Sequence, residues 1–409
     1  MKKVKEKVDL KLIPEVNIGV VGHVAHGKTT LVEAITGKLT LTHSEELKRG
    51  ITIRLGYADA TLYKCKKRHY ATSKKCPICF SECEILRTVS FVDSPGHETL
   101  MATVLTGTAL MDGALLIIAA NERCPQPQTR EHLTALEVVG IKNVIIIQNK
   151  IDLVTKEEAL KNYEQIKNFI KGTILENSPI IPVSAQQRIN TDLVIDAIQK
   201  FIPSSKKEGI EDFRMVVARS FDINKPGAEP KKIVGGVLGG AITRGKIKIG
   251  DEIEIKPGIM VENKYRSINT KVLGLQKAGI DLEEAGPGGL LGVLTTLDPY
   301  MTKSDSLVGN IVGLPGKLPD VRDSLNLEIK LLERVVGSEE LGTVVPIKVD
   351  EVLMINVGTA RSIGRVTSIK KGRVELKLKI PVCVEKKERI VLSRQIAGRW
   401  RLIGYGTFI

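Results

Sequence analysis

The rhythm of apolar and polar positions changes once along this 409-residue chain. From residue 16 to 202, short apolar runs alternate with stretches of helical periodicity. Val16 to Val21, Arg87 to Phe91, Ala114 to Ala119, Asn143 to Gln148 and Ile180 to Val183 have strand length. The unbroken apolarity of Ala114 to Ala119 is that of a strand buried on both faces. Between the strands, Leu31-Val32-Glu33-Ala34-Ile35 is amphipathic, and Thr155-Lys156-Glu157-Glu158 is a capping box opening a helix through Phe169. This alternation predicts an α/β fold with a doubly wound parallel sheet. Past Pro203-Ser204-Ser205-Lys206-Lys207 the helical periodicity nearly stops, and glycines punctuate short alternating runs such as Gly240 to Ile255. That spacing predicts a small β-barrel. A second β unit follows Leu314-Pro315-Gly316-Lys317-Leu318-Pro319 and runs through Val374 to Ile380. The expected domains are 1–205, 206–322 and 323–409.

Candidate chemistry enters where the first strand ends. Gly22-His23-Val24-Ala25-His26-Gly27-Lys28-Thr29, followed by Thr30, reads G-x-x-x-x-G-K-T between a strand and a helix. Glycines let backbone N–H groups turn inward around a phosphate chain, Lys28 meets the β and γ oxygens, and the Thr29 hydroxyl is placed to ligate Mg²⁺. Two further segments fit the same metal. Thr52, in Lys48-Arg49-Gly50-Ile51-Thr52-Ile53, could complete the shell when a γ-phosphate is present. Asp93, at a strand's end before Ser94-Pro95-Gly96-His97, could hold it through a water. The Gly96 N–H is expected to reach the γ-phosphate, and His97 is the nearby side chain suited to orienting water.

Asn149-Lys150-Ile151-Asp152 selects the base. Its carboxylate can accept from both N1–H and N2–H₂ of guanine, a pairing adenine cannot offer. Ser184-Ala185-Gln186 ends the last short strand, and its backbone could meet the guanine O6. GTP is the nucleotide these residues predict.

Four of the six cysteines crowd between Cys65 and Cys83, in a polar, Lys-rich excursion at 62–86. Cys76-Pro77-Ile78-Cys79 has the two-residue spacing that lets both thiolates bind one tetrahedral Zn²⁺. Cys65 has no partner at the usual offset, because Arg68 occupies it; Cys83 is the expected fourth ligand, with His69 or no fourth ligand as alternatives.

Charge adds a partner class. The net charge is +14, and residues 361–409 carry 13 Lys and Arg against 3 Glu. A polyanion is the reading, through phosphate contacts rather than base stacking, since aromatics make up only 4%. No apolar run approaches the ~18 residues of a membrane span, and the basic N-terminus lacks a signal peptide's apolar core, so a cytoplasmic protein is expected.

Taken in this order, the motifs resemble those of the translational GTPases, with a G domain and two β-barrels arranged as in elongation factor Tu. More narrowly, Gly22 to Thr29, Lys48 to Tyr57, the cysteine insertion, Asn121 to His132, Ser220 to Gly227 and Gly398 to Gly404 are similar to the gamma subunits of archaeal and eukaryotic translation initiation factor 2. The resemblance implies a GTP-hydrolysing subunit, partnered by alpha and beta subunits, that delivers initiator methionyl-tRNA to the small ribosomal subunit. It also implies that the aminoacylated end of the tRNA sits between the G domain and the first β-barrel, near Phe221 and Lys225; Tyr57, on the strand that the Thr52 loop runs into, is expected to be an exposed aromatic that could meet it. Ala25 stands where many archaeal relatives carry Asp, which removes a carboxylate that could hold a second metal. The rival readings are an elongation-type factor, such as one for selenocysteinyl-tRNA, and a P-loop phosphotransferase.

Overall fold

The computed structural model describes residues 9–40, 52, 54–97, 100–204, 211–225, 227, 229–333 and 342–409. Apart from Thr52, the expected loop 48–53 lies outside these residues, as does the domain boundary expected at 205.

The first domain is one seven-stranded sheet. Its strands are β1 (Pro14–Gly22), β2 (Gly56–Cys65), β3 (Tyr70–Ala71), β4 (Cys83–Asp93), β5 (Gly113–Ala119), β6 (Val144–Asn149) and β7 (Ile180–Pro182), in the order β3-β2-β4-β1-β5-β6-β7. The run β4-β1-β5-β6-β7 is parallel, as the apolar runs predict. The edge departs from this: β2 is antiparallel to β4, and β3 to β2, because the cysteine-rich excursion turns the chain straight back. The helices are α1 (Lys28–Thr36), α2 (Met101–Thr108), α3 (Pro127–Val139), α4 (Lys156–Ile170) and α5 (Thr191–Phe201). They cover both sheet faces. Leu116 and Ile118 of β5 pack with Leu105, Leu136 and Ile166 on one side; Leu115 and Ile117 pack with Leu31, Ile35 and Ile198 on the other. All seven residues of β5 are buried as a result. The capping box holds: the Thr155 hydroxyl accepts from the Glu158 N–H at 3.2 Å, and the Glu158 carboxylate accepts from the Thr155 N–H at 2.9 Å.

Two barrels follow. Strands β8 (Arg214–Phe221), β9 (Val237–Arg244), β11 (Glu252–Val261), β12 (Lys264–Lys277), β13 (Ile280–Leu282), β15 (Leu291–Thr295) and β16 (Ile311–Gly313) form the first sheet, while the two-residue β10 (Ile247–Lys248) and β14 (Glu284–Ala285) pair separately. Its ring runs β11-β16-β8-β9-β15-β12 and closes through β12 onto β11. The second comprises β17 (Val321–Leu331), β18 (Val352–Val357), β19 (Ala360–Lys370), β20 (Arg373–Cys383), β21 (Arg389–Ile396) and β22 (Arg399–Phe408), closed in the order β17-β20-β19-β18-β21-β22. Alternation along β20 shows how sequence builds it: Val374, Leu376 and Leu378 point inward while Arg373, Glu375 and Lys377 face water.

The three domains share an apolar seam. Leu105 and Leu136 of the first, Val216 and Ala241 of the second, and Val391 and Leu402 of the third belong to one buried cluster. Polar ties flank it: Arg244 pairs with Glu385 at 2.6 Å, and Arg401 with Glu131 at 2.6 Å. At the opposite edge Gly288 lies so close to β1 that a Cβ would stand 2.3 Å from the Glu15 carbonyl oxygen. No described helix is long and apolar enough to cross a membrane.

Candidate functional site

β1 ends at Gly22, whose φ of 141° and whose approach to the Ile117 carbonyl oxygen, 2.3 Å from any Cβ, admit glycine alone. The chain then turns through His23 to Gly27 and enters α1 at Lys28. Gly27, the residue before α1, has no side chain to cap it, so the first N–H groups of the helix are left for an anion. Lys28 is 6% exposed, and its ammonium donates to the Gly22 and His23 carbonyls at 2.9 and 2.7 Å. Burial lowers its pKa to about 8, against the pull of Asp93.

Around that ammonium the expected residues converge. The Asp93 carboxylate, fully buried, accepts from the Thr29 hydroxyl at 2.7 Å, and the Thr29 and Thr52 hydroxyls lie 3.0 Å apart. Two hydroxyls and a carboxylate in one cluster are hard oxygen donors, the set Mg²⁺ takes. Gly96 packs against the loop so closely that a Cβ would meet the Lys28 ammonium at 2.3 Å. His97 is exposed and lines a cavity of about 250 Å³ together with Val24, Ala25, Thr30, Thr52 and Lys150.

The base-selecting motif is joined to the phosphate loop by one buried side chain. Asn149 donates to the His26 carbonyl at 2.9 Å and accepts from the Ala185 N–H at 3.0 Å. It thereby fixes the loop, the 149–152 segment and the Ser184-Ala185 turn against one another. Lys150 takes a left-handed φ of 64°, and Asp152 stands exposed in the short helical turn beyond it. Ser184 and Ala185 are buried, while Gln186 is exposed.

The cysteine-rich excursion closes on itself at the far end of β2. Ligand atoms of Cys65, His69, Cys76 and Cys79 all lie within 4.8 Å of one another. The Cys79 and Cys65 sulfurs are 3.7 Å apart, and Cys76 Sγ is 3.6 Å from His69 Nδ1. Both fit the ~3.8 Å edge of a tetrahedron built on ~2.3 Å Zn–S bonds. Cys83, expected as the fourth ligand, falls outside this group; its thiol donates instead to the Ser81 carbonyl at 3.9 Å. The grouping with His69 has a local cause. A tight turn, with Arg68 at φ 68° and its N–H bonded to the Cys65 carbonyl, folds His69 back onto Cys65.

Comparison with known proteins decides the family. "Elongation factor Tu GTP binding domain" matches residues 14–204, and "Initiation factor eIF2 gamma, C terminal" matches 323–408. The chain is 60% identical to translation initiation factor 2 subunit gamma of Pyrococcus furiosus over 397 residues, covering 96% of this chain and 97% of that one. It is 58% identical to the same subunit of Methanocaldococcus jannaschii, with 96% and 97% covered. The chain belongs to the gamma subunits of translation initiation factor 2. Like them it is a GTP-binding protein of translation initiation and a GTPase, and the phosphotransferase and elongation-factor readings fall away. A bacterial selenocysteine-specific elongation factor shares the fold at a TM-score of 0.74 but only 24% identity, with 97% of this chain covering 58% of that one. SelB of Methanococcus maripaludis bound to a GTP analogue gives 0.72 at 22% identity, covering 97% and 79%.

In this member of the family, Phe221 and Lys225 are exposed at and beyond the end of β8, but Tyr57 is not the free aromatic expected. It packs on the apolar seam with its hydroxyl buried, which raises its pKa. The link to the first barrel is made by its neighbour. Arg54 pairs with Asp305 at 3.6 Å, and Asp305 also accepts from Arg219 at 2.9 Å and from the Ser220 N–H at 3.1 Å.

Two site residues, Thr40 and His132, were beyond sequence reasoning, and His26 of the loop faces elsewhere than expected. Thr40 donates to Asp93 at 2.6 Å beside Thr29. His132 accepts the Gly22 N–H on Nδ1 at 2.6 Å, with burial driving its pKa down to about 3. The His26 ring turns away from the cavity: its Nδ1 lies 3.0 Å from the Ile117 carbonyl and its Nε2 3.2 Å from Glu122, with burial lowering its pKa to about 4. His132 stands in the Gln128-Thr129-Arg130-Glu131-His132 stretch used for the family resemblance, which was the only signal available.

Proposed function

We propose that the chain carries methionylated initiator tRNA to the small ribosomal subunit, in a heterotrimer with the alpha and beta subunits of the same factor, and that GTP hydrolysis is the release switch. On this reading Lys28 meets the β and γ phosphates, Thr29 and Thr52 ligate Mg²⁺, and Asp93 holds it through a water. When bound, that ion neutralises charge on the phosphate oxygens. The Gly96 N–H meets the γ-phosphate, His97 orients the attacking water, and Asp152 reads guanine between Asn149, Lys150 and the 184–186 backbone. Cys65, His69, Cys76 and Cys79 would hold one structural Zn²⁺, which ties together an excursion too small to have a core. We read the domains as 1–205, 206–322 and 323–409 and place the protein in the cytoplasm.

The observation that supports coupling most is the relay Arg54–Asp305–Arg219. It joins the segment just after Thr52 to the barrel strand that ends at Phe221. A loop ordered by the γ-phosphate therefore has a mechanical path to the surface proposed for the tRNA end. The test is tRNA affinity with GDP and with a non-hydrolysable GTP analogue, at three salt concentrations. Coupling of ~1–3 kcal/mol predicts about 5–150-fold tighter binding in the GTP state. That ratio should persist across salt while both affinities fall together. Equal affinities in both nucleotide states at every salt would leave a constitutive electrostatic binder.

A further inference from the structure

Where the three domains meet lies a cavity of about 360 Å³, well away from the phosphate loop in its lining residues. Its size falls inside the ~300–1,000 Å³ range of small-molecule sites. Leu105 comes from α2, Val139 from the end of α3, Val216 from the first barrel, and Val391 from the second. These four give it apolar walls. The charged groups beside it are already engaged: Arg214 pairs with Glu385 at 3.0 Å and Glu388 at 3.5 Å, and Arg389 donates to the Val138 carbonyl at 3.0 Å.

One polar side chain is not engaged. Along β18, Leu353, Ile355 and Val357 enter the barrel core, which turns Asn356 outward into the cavity. Asn356 is 2% exposed, and neither its Oδ1 nor its Nδ2 has a hydrogen-bond partner among the described residues. The Arg214 Nε at the same wall is also without one. A buried carboxamide with both ends open is costly and rare in folded proteins. It offers a donor and an acceptor side by side, at a wall whose charged neighbours are already paired.

We propose that this cavity binds a small neutral cyclic amide, of the lactam or imide class, whose N–H and C=O pair with Oδ1 and Nδ2 of Asn356. The ring fills the space between Leu105, Val139, Val216 and Val391, and a second carbonyl, where present, accepts from Arg214 Nε. Such a ligand touches all three domains and favours the arrangement in which they enclose it.

The probe is δ-valerolactam, with N-methyl-δ-valerolactam as the control that keeps the shape and loses the donor. Titration into the full chain bound to GDP, followed by ligand-observed NMR, should show the lactam binding and the methylated form weaker by about 10-fold, as expected when a buried acceptor is left unpaired. Asn356→Leu should lose lactam binding to a similar degree while keeping its affinity for GDP. Equal binding of the two probes overturns the proposal. So does Asn356→Leu protein that binds GDP and lactam as the parent does, or a crystal soaked to saturation in which only water meets Asn356. Should Asn356→Leu fail to hold GDP, the two-probe comparison on the parent chain decides alone.

Discussion

Arg401, on the last strand of the second barrel, reaches Glu131 on α3 across 2.6 Å, with the two side chains 7% and 1% exposed. The next residue along α3 is His132, which accepts the Gly22 N–H. The far end of the chain is thus two residues' contacts from the phosphate loop. Replacing Arg401 by Met takes its positive charge away from a buried carboxylate, and breaking such a pair from one side costs ~3–5 kcal/mol. Urea unfolding should show a loss of that size for Arg401→Met and a smaller one for the double variant Arg401→Met with Glu131→Gln. A single-variant loss under ~1 kcal/mol would mean that the pair does not hold the domains together.

Acid should weaken the fold through the histidines under the loop. His132 and His26 have pKa values lowered to about 3 and about 4 by burial. In the unfolded chain both take up protons below ~6.5, while the folded chain resists until about pH 4. The unfolded state therefore binds more protons in that window, and stability falls as pH drops through it. Each histidine contributes at most ~1.4 kcal/mol per pH unit. Denaturation of nucleotide-free protein at stepped pH should show a shallower slope for His132→Gln. Superimposable pH profiles for the two proteins would dissociate His132 from the acid response.

At the knuckle, the fourth ligand is decided by a pair of variants. Protein purified without added zinc should carry close to one equivalent, Cys83→Ser should retain it, and His69→Ala should lose most of it. The geometry behind this is the 4.8 Å grouping that includes His69 and leaves out Cys83. Retention by His69→Ala with loss by Cys83→Ser would return the site to four cysteines. GDP binding should survive in both variants.

Base choice and chemistry separate cleanly by mutation. Asp152→Asn should lose selectivity for GTP over xanthosine triphosphate by on the order of 10⁴-fold, because the 2-oxo group wants a donor where the 2-amino group wanted an acceptor. His97→Ala should leave GTP affinity within a few-fold and lower stimulated hydrolysis by ~10²–10⁴ in single-turnover assays. An unchanged stimulated rate would remove His97 from the chemistry.

Much of the frame could be read from order and spacing alone. Ala114 to Ala119 announced a strand covered on both faces, and Thr155 to Glu158 a helix start; both are where local pattern placed them. The phosphate loop, Thr29, Thr52 and Asp93 lie together as the motifs implied. What could not be read were the pairings that depend on the finished tertiary fold. Thr40 is 53 residues from the Asp93 it bonds, His132 is 110 from Gly22, and Arg401 is 270 from Glu131. None of these has a local period to betray it. Tyr57 misled for the same reason: an aromatic near the side of a sheet reads as exposed until the domains close on one apolar seam.

The register of β2 on β4 has a consequence for how the site can move. Gly56 pairs with Asp93 at one end of the ladder, and Cys65 pairs with Cys83 at the other, so the knuckle clasps the very strand that carries the metal-facing carboxylate. The two strands are prongs of one fork with its handle ~30 Å from the phosphates. A fork held at the handle does not slide prong against prong. Any change in the distance from Thr52 to Asp93 must therefore be taken up in the few bonds between Thr52 and Gly56, where Arg54 is attached to the barrel. A reporter dye on β2 at Thr61 should stay silent through the nucleotide cycle, and one at Arg54 should not.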